Sequence, residues 1–333
     1  MTVRASVDLL AAKAPRRDLA ENDGVDVIAP IPRDVLLDDG KPLGDGHVRL
    51  RRYGRADAPV VVVAGGISSG RRVAGEGGWW RRLVGADAAI DLDEFCVLGF
   101  DFAPLDDVRV VISPATQARL LTAAFDALRI ERLHAFIGAS YGGMVGLALA
   151  AAEPQRLRHL CVISAAHKPA PLAHAWRSVQ RRIVEFGIAH DRAEEGLALA
   201  RELAMITYRS GAEFAERFRC AIDKRGISDL GVYLAARGRA YPAQMPPRRW
   251  LSLSEAIDRC NVTPEGVATP ATLVASASDQ LVPIEDMRTL AARLPHLAAL
   301  HVLPSLYGHD AFLKEAAQLT PIIRRCLTED AHG

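Results

Sequence analysis

The sequence predicts an α/β fold: a mostly parallel central sheet with helices on both faces and a helical cap inserted late in the chain. Three observations predict it. Short apolar runs alternate with helical segments, and a glycine-spaced serine sits where one such run meets one such helix. A basic helical block about 90 residues long then interrupts the alternation before strands return, and insertions of that size are usually functional.

Residues 1–30 carry charges such as Asp8, Lys13, Arg16 and Arg17 and are expected to form a loosely held arm. Residues 47–53 alternate polar and apolar, as an antiparallel edge strand does. Residues 59–64 and 95–100 are nearly continuous apolar runs, expected for strands covered on both faces. Ser113-Pro114 opens a helix over 115–128, the serine capping and the proline fitting its first turn. A strand over 133–137 leads into a helix of small residues over 143–151, and another strand follows at 160–164. Between 169 and 257 the chain is helical and arginine-rich, with apolar residues at helical spacing over 176–186, 193–208 and 212–225. Strands return at 271–275 and 300–303, with a helix over 286–294 between them. This divides the chain into a core of residues 31–168 and 266–333 and a cap of residues 169–265.

The 333 residues are 50% hydrophobic and 24% charged, which suits one large α/β domain with an insertion, or two domains. A formal charge of +1 argues against nucleic acid or a membrane surface as a general partner. No apolar stretch reaches the roughly 20 residues that span a bilayer, and the N-terminus does not resemble a secretory signal. The five cysteines, Cys96, Cys161, Cys220, Cys260 and Cys326, are odd in number, lie far apart and form no C-x-x-C. Neither a disulfide framework nor a metal site is expected, and a reducing cytoplasm is the natural compartment.

The chemistry begins at Gly138-Ala139-Ser140-Tyr141-Gly142. A G-x-S-x-G turn between strand and helix is a nucleophile elbow: the glycines permit a cramped backbone that lifts the serine oxygen above the sheet. The same pattern occurs at Gly66-Ile67-Ser68-Ser69-Gly70, but a glycine-rich loop without helical period follows it, so Ser140 is the expected nucleophile and Ser68 a loop residue. A serine needs a base, and the base needs a group to hold it. Asp279 follows the 271–275 strand and His309 the 300–303 strand, in the chain order serine, acid, histidine of the α/β-hydrolase arrangement. Asp286 competes for the acid's role but suits a helix first turn, and Asp101 follows an earlier strand. The oxyanion hole is expected from the amide of Tyr141 and one within Gly65, Gly66 and Ile67. Residues 65–72 lack the lysine and hydroxyl of a P-loop, leaving any phosphate role to Arg71 and Arg72.

With these residues assembled, the chain resembles the homoserine O-acyltransferases, α/β-hydrolase-fold enzymes of methionine biosynthesis, over residues 58–313. The likeness rests on Gly-Ala-Ser-Tyr-Gly-Gly-Met around Ser140, Met-Ile-Thr-Tyr-Arg-Ser ending at Ser210, Ser-Asp-Gln-Leu-Val-Pro around Asp279 and Tyr-Gly-His-Asp-Ala-Phe around His309. The elbow and Trp176-Arg177-Ser178-Val179-Gln180-Arg181-Arg182 look like the succinyl-CoA-using branch. The resemblance implies Ser140, Asp279 and His309 as a triad and Arg209 and Asp310 as ligands of L-homoserine. It also implies an acyl-CoA co-substrate (succinyl-CoA or acetyl-CoA) with no resident cofactor, and a homodimer through the cap helices. Arg177 would select a succinyl group by its terminal carboxylate, or contact CoA phosphates with Arg181 and Arg182. Residues 101–107 lack the glycine-rich loop of the acetyltransferases. The rival readings are an acetyltransferase, a serine O-acyltransferase, an esterase of the same fold, or a binding protein without catalysis.

Overall fold

The computed structural model describes residues 23–42 and 46–328. Ten strands are present among them: β1 Val25–Ile31, β2 Gly46–Tyr53, β3 Val60–Ala64, β4 Val84–Gly85, β5 Ile90–Asp91, β6 Cys96–Phe100, β7 Leu133–Ala139, β8 Leu157–Ile163, β9 Ala271–Ser276 and β10 Leu297–Leu303. Eight build one sheet in the order β1-β2-β6-β3-β7-β8-β9-β10, while β4 and β5 pair separately. The β1–β2 and β2–β6 pairs are antiparallel, and the rest of the large sheet is parallel.

Two expectations change here. β2 is antiparallel but not an edge, because β1 covers its outer side over seven paired residues. The arm expected over 1–30 therefore becomes ordered strand from Val25; residues 1–22 lie outside the described residues. Val27, Ala29 and Ile31 are buried on alternate positions, a period of two that Pro30 and the neighbouring charges obscure.

Alternation along the parallel strands supplies both faces of the core. Val62, Phe136, Leu160 and Val162 face one side, with helices α1 (Pro114–Ala127) and α2 (Tyr141–Ala152). Val61, Val63, Ile137 and Cys161 face the other, against α10 (Ala316–Thr328). Ser113 caps α1 by accepting the Thr116 amide at 3.2 Å. α2 lies against the sheet because its small residues allow it: a Cβ on Gly142 would come within 2.6 Å of Ala64.

Between β8 and β9 the chain forms five helices: α3 Pro171–Ala189, α4 Ala193–Tyr208, α5 Gly211–Arg217, α6 Asp229–Ala240 and α7 Pro247–Asp258. The helix expected over 212–225 ends at Arg217. Cys220 and Gly226 take positive φ, and the Asp223 carboxylate accepts the amides of Arg225 and Ile227, so a turn replaces the second half. Asx turns compete with helix in this way. α8 (Ile284–Arg293) and the short α9 (Ala311–Lys314) complete the chain's helices among the described residues.

Candidate active site

Ser140 stands at the end of β7, on the residue before α2, with φ 54° and ψ −124°. That backbone costs a non-glycine residue about 1–3 kcal/mol, and the surroundings enforce it. The Gly142 amide donates to the Gly65 carbonyl at 2.8 Å, tying the elbow to the turn after β3. A Cβ on Gly138 would lie 2.4 Å from the Gly142 carbonyl oxygen, so only glycine fits there.

His309 follows β10, and its Nε2 lies 2.8 Å from the Ser140 Oγ. Its Nδ1 lies 2.7 Å from the Asp279 Oδ2. A carboxylate only accepts, so Nδ1 carries the proton and Nε2 is left to accept the serine hydroxyl. The second Asp279 oxygen accepts the Leu281 and Val282 amides at 2.8 and 3.0 Å, which fixes the carboxylate in the β9–α8 loop. Burial pulls the His309 pKa down, but the charge of Asp279 and its hydrogen bond, helped by Asp310, outweigh this, and the net shift is upward. Of the rival acids, Asp101 is held by Arg71, whose Nη1 lies 2.5 Å away. Asp286 occupies the first turn of α8.

The turn after β3 lies beside the nucleophile: a Cβ on Gly66 would sit 3.9 Å from the Ser140 Oγ. Among the described residues the amides of Gly66, Ile67 and Tyr141 donate to no protein atom, which leaves them available to an oxyanion. Ser68 is bonded to the Tyr241 hydroxyl at 2.7 Å and takes no part in the serine–histidine chain. Arg71 is engaged by both Asp26 and Asp101, so the phosphate role considered for it finds a guanidinium already paired.

Over this floor lies a cleft enclosing about 1070 Å³ of empty space, the open solvent at its mouth included, with cap residues Trp176, Arg177, Gln180 and Arg201 in its wall. A family profile described as alpha/beta hydrolase fold matches residues 58–316. The chain is 42% identical, over 85% of its own length and 80% of the relative's, to the homoserine O-succinyltransferase of Xanthomonas campestris. It is 31% identical, over 86% and 87% respectively, to the homoserine O-acetyltransferase of Deinococcus radiodurans. The chain belongs to the homoserine O-acyltransferase family. The crystal structure of homoserine O-acetyltransferase from Bacillus anthracis superposes with a TM-score of 0.83, covering 93% of this chain and 99% of that one at 14% identity, a likeness of fold.

In this homoserine O-acyltransferase family member the charged residues singled out from the sequence fall into two settings. Arg177 reaches the cavity wall, but its Nε and Nη2 both donate to Asp258 Oδ1, at 2.8 and 2.6 Å. Arg181 takes the other oxygen of Asp258 at 2.7 Å. Asp310 lines the cavity beside His309, whereas Arg209 sits behind it and does not form the wall. The Arg209 guanidinium is paired with Asp310 at 3.3 Å and, more tightly, with buried Glu213. Sequence reading missed Glu213, Asp258 and Arg201, and reached Tyr208 only as part of the Met-Ile-Thr-Tyr-Arg-Ser motif. Glu213 stands four residues after Arg209, a spacing that places two helical side chains together, but the pair spans a helix boundary at Ser210.

Proposed function

We propose that this protein is an L-homoserine O-succinyltransferase working by a ping-pong acyl-serine mechanism, with succinyl-CoA and L-homoserine as substrates. One observation carries the chemistry: the unbroken hydrogen-bond chain from Ser140 through His309 to Asp279 under an enclosing cap. The choice of substrates is supported by the 42% identity to a homoserine O-succinyltransferase and by Arg177 in the cavity wall.

His309 Nε2 takes the Ser140 proton as Oγ attacks the thioester carbon. Charge develops on the thioester oxygen, which the amide of Tyr141 and one from Gly66 or Ile67 receive. Collapse breaks the carbon–sulfur bond, and His309 gives its proton to the departing thiolate. The homoserine hydroxyl then loses its proton to His309 and attacks the acyl carbon, and the proton returns to Ser140. Asp310 faces the acceptor's ammonium, with Arg209 as the second homoserine ligand. Arg177 faces the succinyl carboxylate. The cap keeps water from the acyl-enzyme, which would otherwise be hydrolysed.

A homodimer through the cap is part of the same reading. Leu172, Val179 and Phe186 are exposed at seven-residue spacing along α3, and Leu199 and Ile206 repeat this on α4. Such an apolar stripe is what a facing helix pair covers. A cytoplasmic location agrees with five cysteines of which none forms a disulfide.

The test is a matrix of succinyl-CoA and acetyl-CoA against homoserine and serine, read by CoA release and product mass. O-succinylhomoserine is the expected product. Free succinate alone would make the protein an esterase, and O-acetylhomoserine or an acylserine would reassign donor or acceptor.

A further inference from the structure

We infer that Arg201 is a substrate-binding residue, a further cation in the cavity that shares a substrate carboxylate with Arg177 or Arg209. The inference rests on the acyl-transfer reading and adds a residue to it. Three arginines are near enough to be considered, and two of them, Arg177 and Arg209, already divide their charge with protein carboxylates, so a substrate carboxylate facing either is only part neutralised. Arg177 shares Asp258 with Arg181, and Arg209 is held between Glu213 and Asp310 outside the cavity wall. Arg201 lines the cavity and, among the described residues, pairs with no carboxylate and donates to no carbonyl.

Its position is nonetheless built. The guanidinium carbon lies 4.5 Å from the centre of the Tyr241 ring and 5.4 Å from that of Tyr208. Cation–π contacts of this kind hold a guanidinium without using its N–H groups. The two rings also locate it against the reacting groups. The Tyr208 ring is 6.0 Å from the His309 imidazole. The Tyr241 hydroxyl bonds Ser68, the residue after Ile67 in the proposed oxyanion turn. Arg201 thus spans from the base to the oxyanion side of the site. Lys168, the other lining cation with no carboxylate among the described residues, is exposed and has no such support.

A partly buried cation without a partner is a cost that an anionic ligand recovers. A planar fork of donors matches a carboxylate, by bidentate bonding, better than any other small anion in this chemistry. Both substrates carry one only a few bonds from the reacting atom: the far end of the succinyl chain and the α-carboxylate of the amino acid.

Arg201→Met keeps the stem between the tyrosines and removes the donors; Arg201→Lys keeps the charge. Reaction with a neutral fluorophosphonate and the melting temperature report whether the serine site and the fold survive. Acyl-enzyme formation is followed by intact mass with succinyl-CoA and acetyl-CoA separately, and the homoserine KM is then measured with each donor. The expected result is a loss of about 30-fold for Arg201→Met, the scale of a charged hydrogen bond, partly restored in Arg201→Lys. A loss in acylation by succinyl-CoA alone assigns the donor carboxylate. Unchanged acylation with a raised homoserine KM assigns the acceptor carboxylate. No loss in either step, or an equal loss with the neutral probe, overturns the inference. Wild-type protein that forms no acyl-serine from either donor overturns the acyl-transfer reading and the role of Arg201 with it.

Discussion

The floor and the ceiling of this cavity are built on opposite principles. The floor is backbone geometry: a strained serine, a turn of free amides and a histidine held by an aspartate that loop amides pin down. The ceiling is side-chain charge, much of it cancelled in place, with Asp258 holding Arg177 and Arg181 and Glu213 holding Arg209. A reaction common to many acyl transfers is thus set by rigid elements of the sheet. On the proposed reading, choice of substrate falls to arginines whose availability depends on which carboxylate each one meets.

If that division is right, floor substitutions stop the chemistry with every donor, and ceiling substitutions change how well a particular donor or acceptor is used. Ser140→Ala has the largest expected effect, a loss of about 10⁴-fold or more in CoA release with either donor, together with loss of the acyl-enzyme mass shift. Asp279→Asn comes next, with kcat lower by about 10³- to 10⁴-fold on the precedent of serine–histidine sites elsewhere. It also carries a pH signature. His309 must be neutral to accept a proton, and its pKa lies above the ordinary 6.5, so the acid limb of the wild-type rate profile falls above pH 6.5. Removing the Asp279 charge leaves burial and Arg177 pulling the pKa down against Asp310 alone, and the limb moves to lower pH. A limb that stays in place would separate Asp279 from the titration.

Arg177→Ala is the corresponding ceiling experiment. Succinyl-CoA turnover should fall about tenfold more than acetyl-CoA turnover, the size of one partly screened ion pair. Asp258 keeps Arg181 in the variant, so no buried carboxylate is left unpaired. Equal losses with the two donors would remove Arg177 from donor choice. The smallest effect on turnover is expected for Phe186→Asp, about threefold or less for a surface position. Its readout is mass in solution: the apolar stripe on α3 predicts conversion of dimer to monomer, and an unchanged mass would place the interface elsewhere.

The same division governs what could be read from the sequence. Ser140, Asp279 and His309 were legible because each follows a strand, and a strand's end fixes where the next residue points. The double G-x-S-x-G pattern was resolved on the same ground, since Ser140 opens a helix and Ser68 does not. The β1 strand was obscured because Asp26 and Pro30 break the look of a core strand while Val27, Ala29 and Ile31 still pack. In the cap, Arg177 and Arg209 were singled out by resemblance, but their carboxylate partners were not. Asp258 lies 81 residues from Arg177 and meets it only through the packing of α3 on α7. Arg201 was missed for a related reason: its distinction is the lack of a partner, which no local pattern displays.

One seam joins the two regions, and it falls at the C-terminal end of α4. Gly308, one residue before the histidine, has a backbone so close to the cap that a Cβ would lie 2.6 Å from the Tyr208 carbonyl oxygen. Ser210 donates to the Leu306 carbonyl at 2.5 Å, and Gln280, next to Asp279, donates to the Arg209 carbonyl at 2.9 Å. Two consecutive cap residues are therefore hydrogen-bonded to the loops that carry Asp279 and His309, and a third packs closely on one of them. Movement of the α3–α4 hairpin would have its fulcrum there. Any displacement of the hairpin that admits a bulky thioester would meet its firmest resistance at that end, beside the Asp279–His309 pair.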